Sequence, residues 1–300
     1  MEMLTTVGFA IAGFIMLLSM IFWIGLKIRI PEKETAFRGG SVEYIPWKQE
    51  VPDLVRKHYE SIYETSGMPI IKTAIIQGRA KYKISNLWMP VWYHTWIENK
   101  KGFLRELDFF WYGKTIIKGV DFWIDGVGAL QANGVIRMNE TGKNVTESQY
   151  ISGLAESLIT GTFDISQEQI QWEIASEHEV LLMIQSRDGE SSDMKPIKVY
   201  FEGKTGRIKG IAAERYRGHL ENKRVLWTLN VKKWEKKKGM WVPEYHVKWE
   251  DQKRPWCKYT INGMLININP GLVSDEISKI NTSRYKTESK KRIRNRKNDR

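Results

Sequence analysis

The chain has 300 residues, 13 of them tryptophan, with a single cysteine (Cys257) and a net charge of +12. One cysteine excludes an intrachain disulfide, so folding does not depend on an oxidising compartment. The charge would point to nucleic acid if it covered a folded surface, but nine Lys or Arg against two acids fall between Arg284 and Arg300, leaving +5 for everything else.

Leu4 to Leu26 (LTTVGFAIAGFIMLLSMIFWIGL) carries no charge. At ~1.5 Å per residue such a helix is about 35 Å long, enough for a hydrocarbon layer of ~30 Å. A cleaved signal would have a shorter apolar region followed by a small-x-small site. Lys27, Ile28, Arg29 and Ile30 follow instead, so the pattern predicts a retained single-pass anchor in the cell membrane over residues 1–30. Residues 31–50 read as a charged linker containing Gly39-Gly40. In VPDLVRKHYESIYETSG, Val51, Leu54, Val55, Tyr59, Ile62 and Tyr63 recur near helical spacing, which predicts an amphipathic helix stopping by Gly67.

From Ile70 the period changes to two. Strands are predicted at Ala80–Ile84, Trp88–Trp96, Phe103–Phe110, Thr115–Ile124 and Gly128–Met138, and after a helix at Ile170–Ile174, Val180–Gln185, Ile197–Phe201, Ile208–Tyr216, Val225–Trp234, Met240–Glu250 and Lys258–Ile268. Short turns join them, as in an antiparallel meander. The helix lies between the two groups. Thr146 and Gln149 have capping-box spacing, and Ile151, Leu154, Ala155, Leu158 and Ile159 form one apolar stripe ending near Gly161.

Two strands share a nine-residue pattern, WMPVWYHTW (Trp88–Trp96) and WVPEYHVKW (Trp241–Trp249). Alternate residues of a strand share a face, so Trp88, Pro90, Trp92, His94 and Trp96 form one aromatic row and Trp241, Pro243, Tyr245, Val247 and Trp249 another. The first strand is apolar on its other face too, which predicts cover on both sides; the second is polar there. The expected fold is α+β and mainly β: a curved antiparallel sheet, a half-barrel, wrapped on two amphipathic helices behind a transmembrane helix. Residues 51–283 make one domain and 284–300 a basic disordered tail.

Chemistry-bearing patterns are sparse. The five histidines are scattered and no HExxH, GxSxG or P-loop occurs, so neither a metal, a cofactor nor a catalytic reaction is implied. Cys257 reads as a small strand residue. Asp121 and Asp125 flank Phe122–Ile124, and Asp125 precedes Gly126, so both read as turn residues. Glu156 flanks the apolar helix stripe, from which it reaches either water or a strand arginine such as Arg79 or Arg215. KKWEKKKG (232–239) reads as a charged hairpin tip, solvated or touching headgroups.

Several islands together resemble a bacterial family catalogued as a domain of unknown function: RAKYKISNLWMPVW, DFWIDGVGAL with Asp125, Gly126 and Gly128, SQYISGLAESL, FEGKTG, Arg215–Arg217 (RYR) and MWVPEYHVKW. They run in order from Arg79 to Trp249. Where the family often has a proline after its central helix, this chain has Thr160-Gly161-Thr162. The resemblance implies a curved sheet on helices, similar to lipoprotein-carrier and lipid-binding half-barrels of bacterial envelopes.

Two functional readings follow. One is an anchored module that binds a lipid, acyl chain or other amphiphile in a concavity lined by Trp88, Trp92, Trp96, Tyr245 and Trp249, with Glu156 and Arg215 as polar groups. The other is a non-catalytic structural or interaction protein of the envelope. In both, membrane lipids are partners, and Lys290, Lys291, Arg292, Arg294 and Arg296 of the tail contact anionic surfaces. Lys27, Arg29, Lys33 and Arg38 place the domain in the cytoplasm by the positive-inside rule, whereas the resemblance implies the outer side.

Overall fold

A computed structural model describes residues 2–28, 30–31, 33–84, 86–165, 170–184, 194–218, 222–268 and 270–280. The basic tail expected to touch anionic surfaces lies outside them. In chain order the elements are α1 (Glu2–Lys27), β1 (Phe37–Gly39), β2 (Glu43–Ile45), α2 (Asp53–Tyr63), β3 (Met68–Ile70), β4 (Thr73–Ile84), β5 (Leu87–Glu98), β6 (Gly102–Trp111), β7 (Lys114–Ile124), β8 (Val127–Gly134), β9 (Met138–Thr141) and α3 (Lys143–Thr160). There follow β10 (Ile170–Ser176), β11 (Glu179–Ile184), β12 (Ile197–Phe201), β13 (Ile208–Arg215), β14 (Val225–Lys237), β15 (Met240–Trp249), β16 (Cys257–Ile266) and α4 (Pro270–Ser278).

Period-two alternation and tight turns make the strands, and the turns are where the backbone goes left-handed. Asp125 (φ 49°) and Gly126 (φ 77°) turn β7 into β8, and Lys238 (φ 47°) and Gly239 (φ 89°) turn β14 into β15. Fourteen strands form one sheet in the order β10-β11-β12-β13-β14-β15-β16-β4-β5-β6-β7-β8-β9, with β1 added parallel to β16. Every other ladder of this sheet is antiparallel, and β4 pairs with β16, so the two meanders join at the middle. Among the described residues no ladder joins β9 to β10, so the sheet does not close into a barrel.

Helices α2 and α3 cover one face. Val55 and Tyr59 of α2 and Ile151, Leu154, Ala155, Leu158 and Ile159 of α3 enter the main core with Tyr93, Trp227, Tyr245 and Trp249. Three side chains of α2 hold the end of α3: His58 Nε2 donates to Leu158 O (3.0 Å), Tyr63 OH to Gly161 O (2.7 Å) and Tyr59 OH to Phe163 O (3.0 Å). Gly161 takes the left-handed conformation (φ 68°) and caps α3 through its own N–H, which leaves no need for a proline there. On the opposite face α4 buries Val273 and Ile277 against Ile75, Trp96, Leu104 and Phe122. Strand β5 is therefore covered on both sides.

Three local expectations are corrected. Residues 31–50 are more than a linker, because they supply β1 and β2, the latter paired with β3. Gly128–Met138 is broken at 135–137 into β8 and β9. Helix α3 begins at Lys143, and Thr146 does not cap it; its hydroxyl accepts the Gly128 N–H at 3.0 Å, tying the helix to β8. The 232–239 segment is the expected charged hairpin tip, with Lys238 and Gly239 exposed, Lys236 paired with Glu64 at 2.5 Å and Lys237 donating to Ile261 O at 2.8 Å.

Helix α1 is long and apolar enough to cross a membrane, and its central residues are exposed. Its last turns meet the β6–β7 hairpin. Trp111 Nε1 donates to Phe22 O (3.1 Å), Tyr112 OH to Ile21 O (2.9 Å) and the Tyr112 N–H to Gly25 O (3.0 Å). A side chain on Gly25 would run into Trp111 and Tyr112.

Candidate functional site

The sheet face under α3 is aromatic and apolar except for a small buried group of charges. On β6, Phe103, Arg105, Leu107 and Phe109 point to this face, so an arginine stands inside an apolar row. Asp121 lies directly across the ladder on β7. The pair is bidentate, Arg105 Nε to Asp121 Oδ1 at 2.9 Å and Nη2 to Oδ2 at 2.5 Å, while Nη1 reaches Glu156 Oε2 on α3 at 2.5 Å. Burial by itself would lower the Arg105 pKa, but the two carboxylates outweigh it and hold the guanidinium well above its ordinary value.

Tyrosines complete the shell. Tyr245 OH donates to Glu156 Oε2 at 3.2 Å, and its ring stacks on Tyr259 at 4.9 Å. Tyr259 shares a hydrogen bond with Tyr82 and presents its ring to Arg105 at 5.6 Å. Burial raises all three phenols well above their ordinary range, so they stay protonated donors. Cys257, fully buried beside them, has its thiol pushed up by the same desolvation, the opposite of an activated nucleophile. The cavity bounded by Tyr93, Phe103, Gly153, Glu156 and Tyr245 measures about 10 Å3, on the order of the space one water needs.

A second arginine has a different fate. Arg215, at the end of β13, is 8% exposed, and its guanidinium lies 5.1 Å from the Trp227 ring and 5.5 Å from the Trp249 ring. Its Nε is buried without a hydrogen-bond partner. Desolvation, with Arg105 adding to it against the opposing pull of Glu156, pushes its pKa down to about 10.

The sequence-predicted site residues thus divide. Glu156, Arg215, Tyr245 and Trp249 meet on the α3 face. Trp88, Trp92 and Trp96 do not join them. Trp96 packs under α4, Trp92 packs with Ile30 and Phe110 and receives Lys33 at 5.7 Å, and Trp88 receives Lys258 at 4.8 Å. The two tryptophan rows therefore line opposite faces, because the phase of β5 is set by Met89, Val91, Tyr93 and Ile97, which take the α3 side. Glu156 pairs with Arg105 rather than with Arg79 or Arg215, and Asp121 is an ion-pair partner rather than a turn residue. The signal that would have found Arg105 is its place in the Phe103, Leu107, Phe109 row.

Among the described residues no group of three or more His, Cys, Asp or Glu is placed to hold a metal. His58 is spent structurally: Nε2 donates to Leu158 O and Nδ1 accepts the Ile208 N–H at 3.1 Å, and desolvation lowers its pKa to about 4.

No curated protein matches the chain. Among solved structures, a DUF1329 family protein from Desulfovibrio piger is similar at 10% identity, with a TM-score of 0.42, covering 73% of this chain and 95% of that one. A LolA superfamily protein from Nitrosomonas europaea is similar at 7% identity, with a TM-score of 0.45, covering 73% and 94%. Residues 46–260 match a family described as a family of unknown function, DUF6544. That span takes in the sheet from β4 to β15, both helices of the covered face and the whole Arg105–Asp121–Glu156 cluster: the chain belongs to the DUF6544 family.

Proposed function

We propose that the protein is a membrane-anchored module that binds an amphiphile, an apolar chain with an anionic head, between the sheet and α3. The observation that carries this reading is Arg215. A buried cation costs several kcal/mol unless it is paired, and the nearby carboxylates, Asp121 and Glu156, are engaged by Arg105. An anionic head would supply the missing partner, with Trp227 and Trp249 as the flat walls beside it and Tyr245 deeper in.

The cavity beside Glu156 measures about 10 Å3, too small for an acyl chain, so on this reading α3 lifts to admit one. The Glu156–Arg105 pair and the bonds from His58 and Tyr63 oppose that movement, while the composition of α3 lowers part of the cost. Its buried side includes Ser148, Ser152, Ser157 and Thr160 beside the apolar stripe, and Gly153 sits against the Phe103 ring. Uncovering hydroxyls and a glycine costs less than uncovering the same area of leucine, at roughly 25 cal/mol per Å2 of apolar surface. The sheet is read as a half-barrel curled around this helix. Thr146 reaches Gly128 on β8, and Ser148, two residues on, donates to Tyr216 O beyond β13 at 2.7 Å. Those strands are eight places apart in the sheet, about 38 Å if it were flat at ~4.8 Å per strand. Residues 1–30 serve as the anchor, 51–283 as the binding domain, and 284–300 as a basic tail on anionic lipid.

Native mass spectrometry of the full chain, released from detergent, tests the reading. A lipid-sized adduct on the wild type that is lost in Arg215→Gln, with the variant still folded, is the expected result. A clean apo mass after incubation with a membrane extract refutes it. The second reading, a structural or interaction protein whose sheet is a scaffold, draws support from the small size of the cavity beside Glu156, and the apo outcome would favour it.

A further inference from the structure

Several exposed apolar side chains of the domain collect beside the anchor, whereas Tyr44, Ile174 and Leu272 are exposed singly on β2, β10 and α4. The β4–β5 hairpin carries Leu87 (41% exposed), the β6–β7 turn carries Tyr112 (37% exposed) beside the half-buried Trp111, and the β8–β9 connection carries Val135 and Ile136 (74% and 46% exposed). The ladders place these three tips at one end of the sheet. Val91 pairs with Phe109, Phe109 with Ile117, and Ile117 with Gly134, so Val135, Trp111 and Leu87 lie one, two and four residues beyond a common row, at the same end of the sheet. The Val135 N–H donates to Ile116 O at 3.3 Å, extending that row by one bond. Isolated exposed apolar residues need no explanation, but a group of them on adjacent turns does.

The anchor supplies the depth. The three hydrogen bonds from Trp111 and Tyr112 fall on Ile21, Phe22 and Gly25, all within the last turns of the apolar segment that ends at Leu26. At ~1.5 Å per residue these carbonyls lie within about 8 Å of the segment's end. If α1 spans a bilayer, the hairpin tip is held in the interfacial layer, where tryptophan and tyrosine are favoured. Leu87 and Trp111 also share an open groove with Met16, Met20 and Trp23 of α1. Met16 is ten residues, about 15 Å, deeper than Leu26, so this groove runs from the headgroup layer down to the acyl region. Exposed basic residues flank the tips, namely Lys27, Lys114 and Arg137, each contributing ~1 kcal/mol near an anionic surface.

We propose that the Leu87, Trp111–Tyr112 and Val135–Ile136 turns form a foot that rests in the headgroup layer of an anionic phospholipid bilayer. This rests on the anchor reading of α1. The foot fixes the domain against the surface instead of leaving it on a tether, and it gives a lipid a short path from bilayer to sheet.

The test uses the full chain in nanodiscs of phosphatidylcholine with phosphatidylglycerol. Nitroxides are placed singly at Val135→Cys, Lys238→Cys and Phe14→Cys, and their exposure to oxygen and to a water-soluble nickel chelate is compared. Cys257 is buried and stays unlabelled. The expected result is a severalfold higher oxygen-to-nickel ratio at position 135 than at position 238, with position 14 higher still. A wet label at 135 with a buried label at 14 overturns the foot while keeping the anchor. Wet labels at both overturn the anchor and the foot together. A label at 135 that is wet but immobile would place protein on the tips and also overturn the proposal. Val135 is largely exposed, so its replacement does not threaten the fold.

Discussion

Removing the positive charge from the buried cluster should be among the most damaging single changes in the domain. Arg105 is 4% exposed, as is Asp121, and Arg105 makes three charge-assisted hydrogen bonds to two carboxylates. Arg105→Leu leaves Asp121 and Glu156 buried beside each other without a cation. Breaking a buried pair from one side costs about 3–5 kcal/mol, whereas replacing all partners by uncharged groups of similar volume is close to neutral. Arg105→Leu should therefore lose about 4 kcal/mol, and the triple variant Arg105→Leu, Asp121→Leu, Glu156→Gln should recover most of it. Urea unfolding of the detergent-solubilised chain, followed by tryptophan fluorescence, measures both. A loss below about 1 kcal/mol in the single variant, or a triple variant no more stable than the single, would refute the argument that the cluster is desolvated and mutually dependent.

Three further outcomes are expected. His58 is neutral in the fold, with a pKa lowered from 6.5 to about 4 by burial. Its contribution to stability is full above pH 6.5 and is lost as pH falls towards 4, by about 3 kcal/mol at the limit; unfolding midpoints across that window should flatten in His58→Gln. Trp96→Ala, on the α4 face, should cost about 3–5 kcal/mol through the cavity it leaves, yet retain any adduct seen on the wild type, whereas Arg215→Gln should lose the adduct. Cys257 should react with a thiol reagent no faster than the domain opens, since its thiol is buried and held protonated; a fast phase in native buffer would contradict its placement.

Much of the fold was legible because its signals are local. Uncharged residues from Leu4 to Leu26 specify a helix long and apolar enough to cross a membrane, and period-two alternation marks most of the long strands from β4 to β16 wherever one face is dry. The helix stripe of Ile151, Leu154, Leu158 and Ile159 marked α3 for the same reason, although its start was misplaced because Thr146 has a partner across space, on β8, that outcompetes its own helix end. Strand β5 shows the limit. Both of its faces are apolar, so periodicity says that each is covered and cannot say by what; α4 and its packing on Trp96 decide that. The same holds for the charges. Alternation puts Arg105 in an apolar row, but a buried arginine is stable only if carboxylates from β7 and α3 arrive together, and these lie 16 and 51 residues away. Arg215 could be named from the sequence as a candidate site residue, but only the approach of Trp227 and Trp249 from β14 and β15 makes it a desolvated cation. Pattern along the chain determines which elements form and which side of each is dry; the solvation of a charge depends on what packs over it, and that is set by the tertiary structure alone.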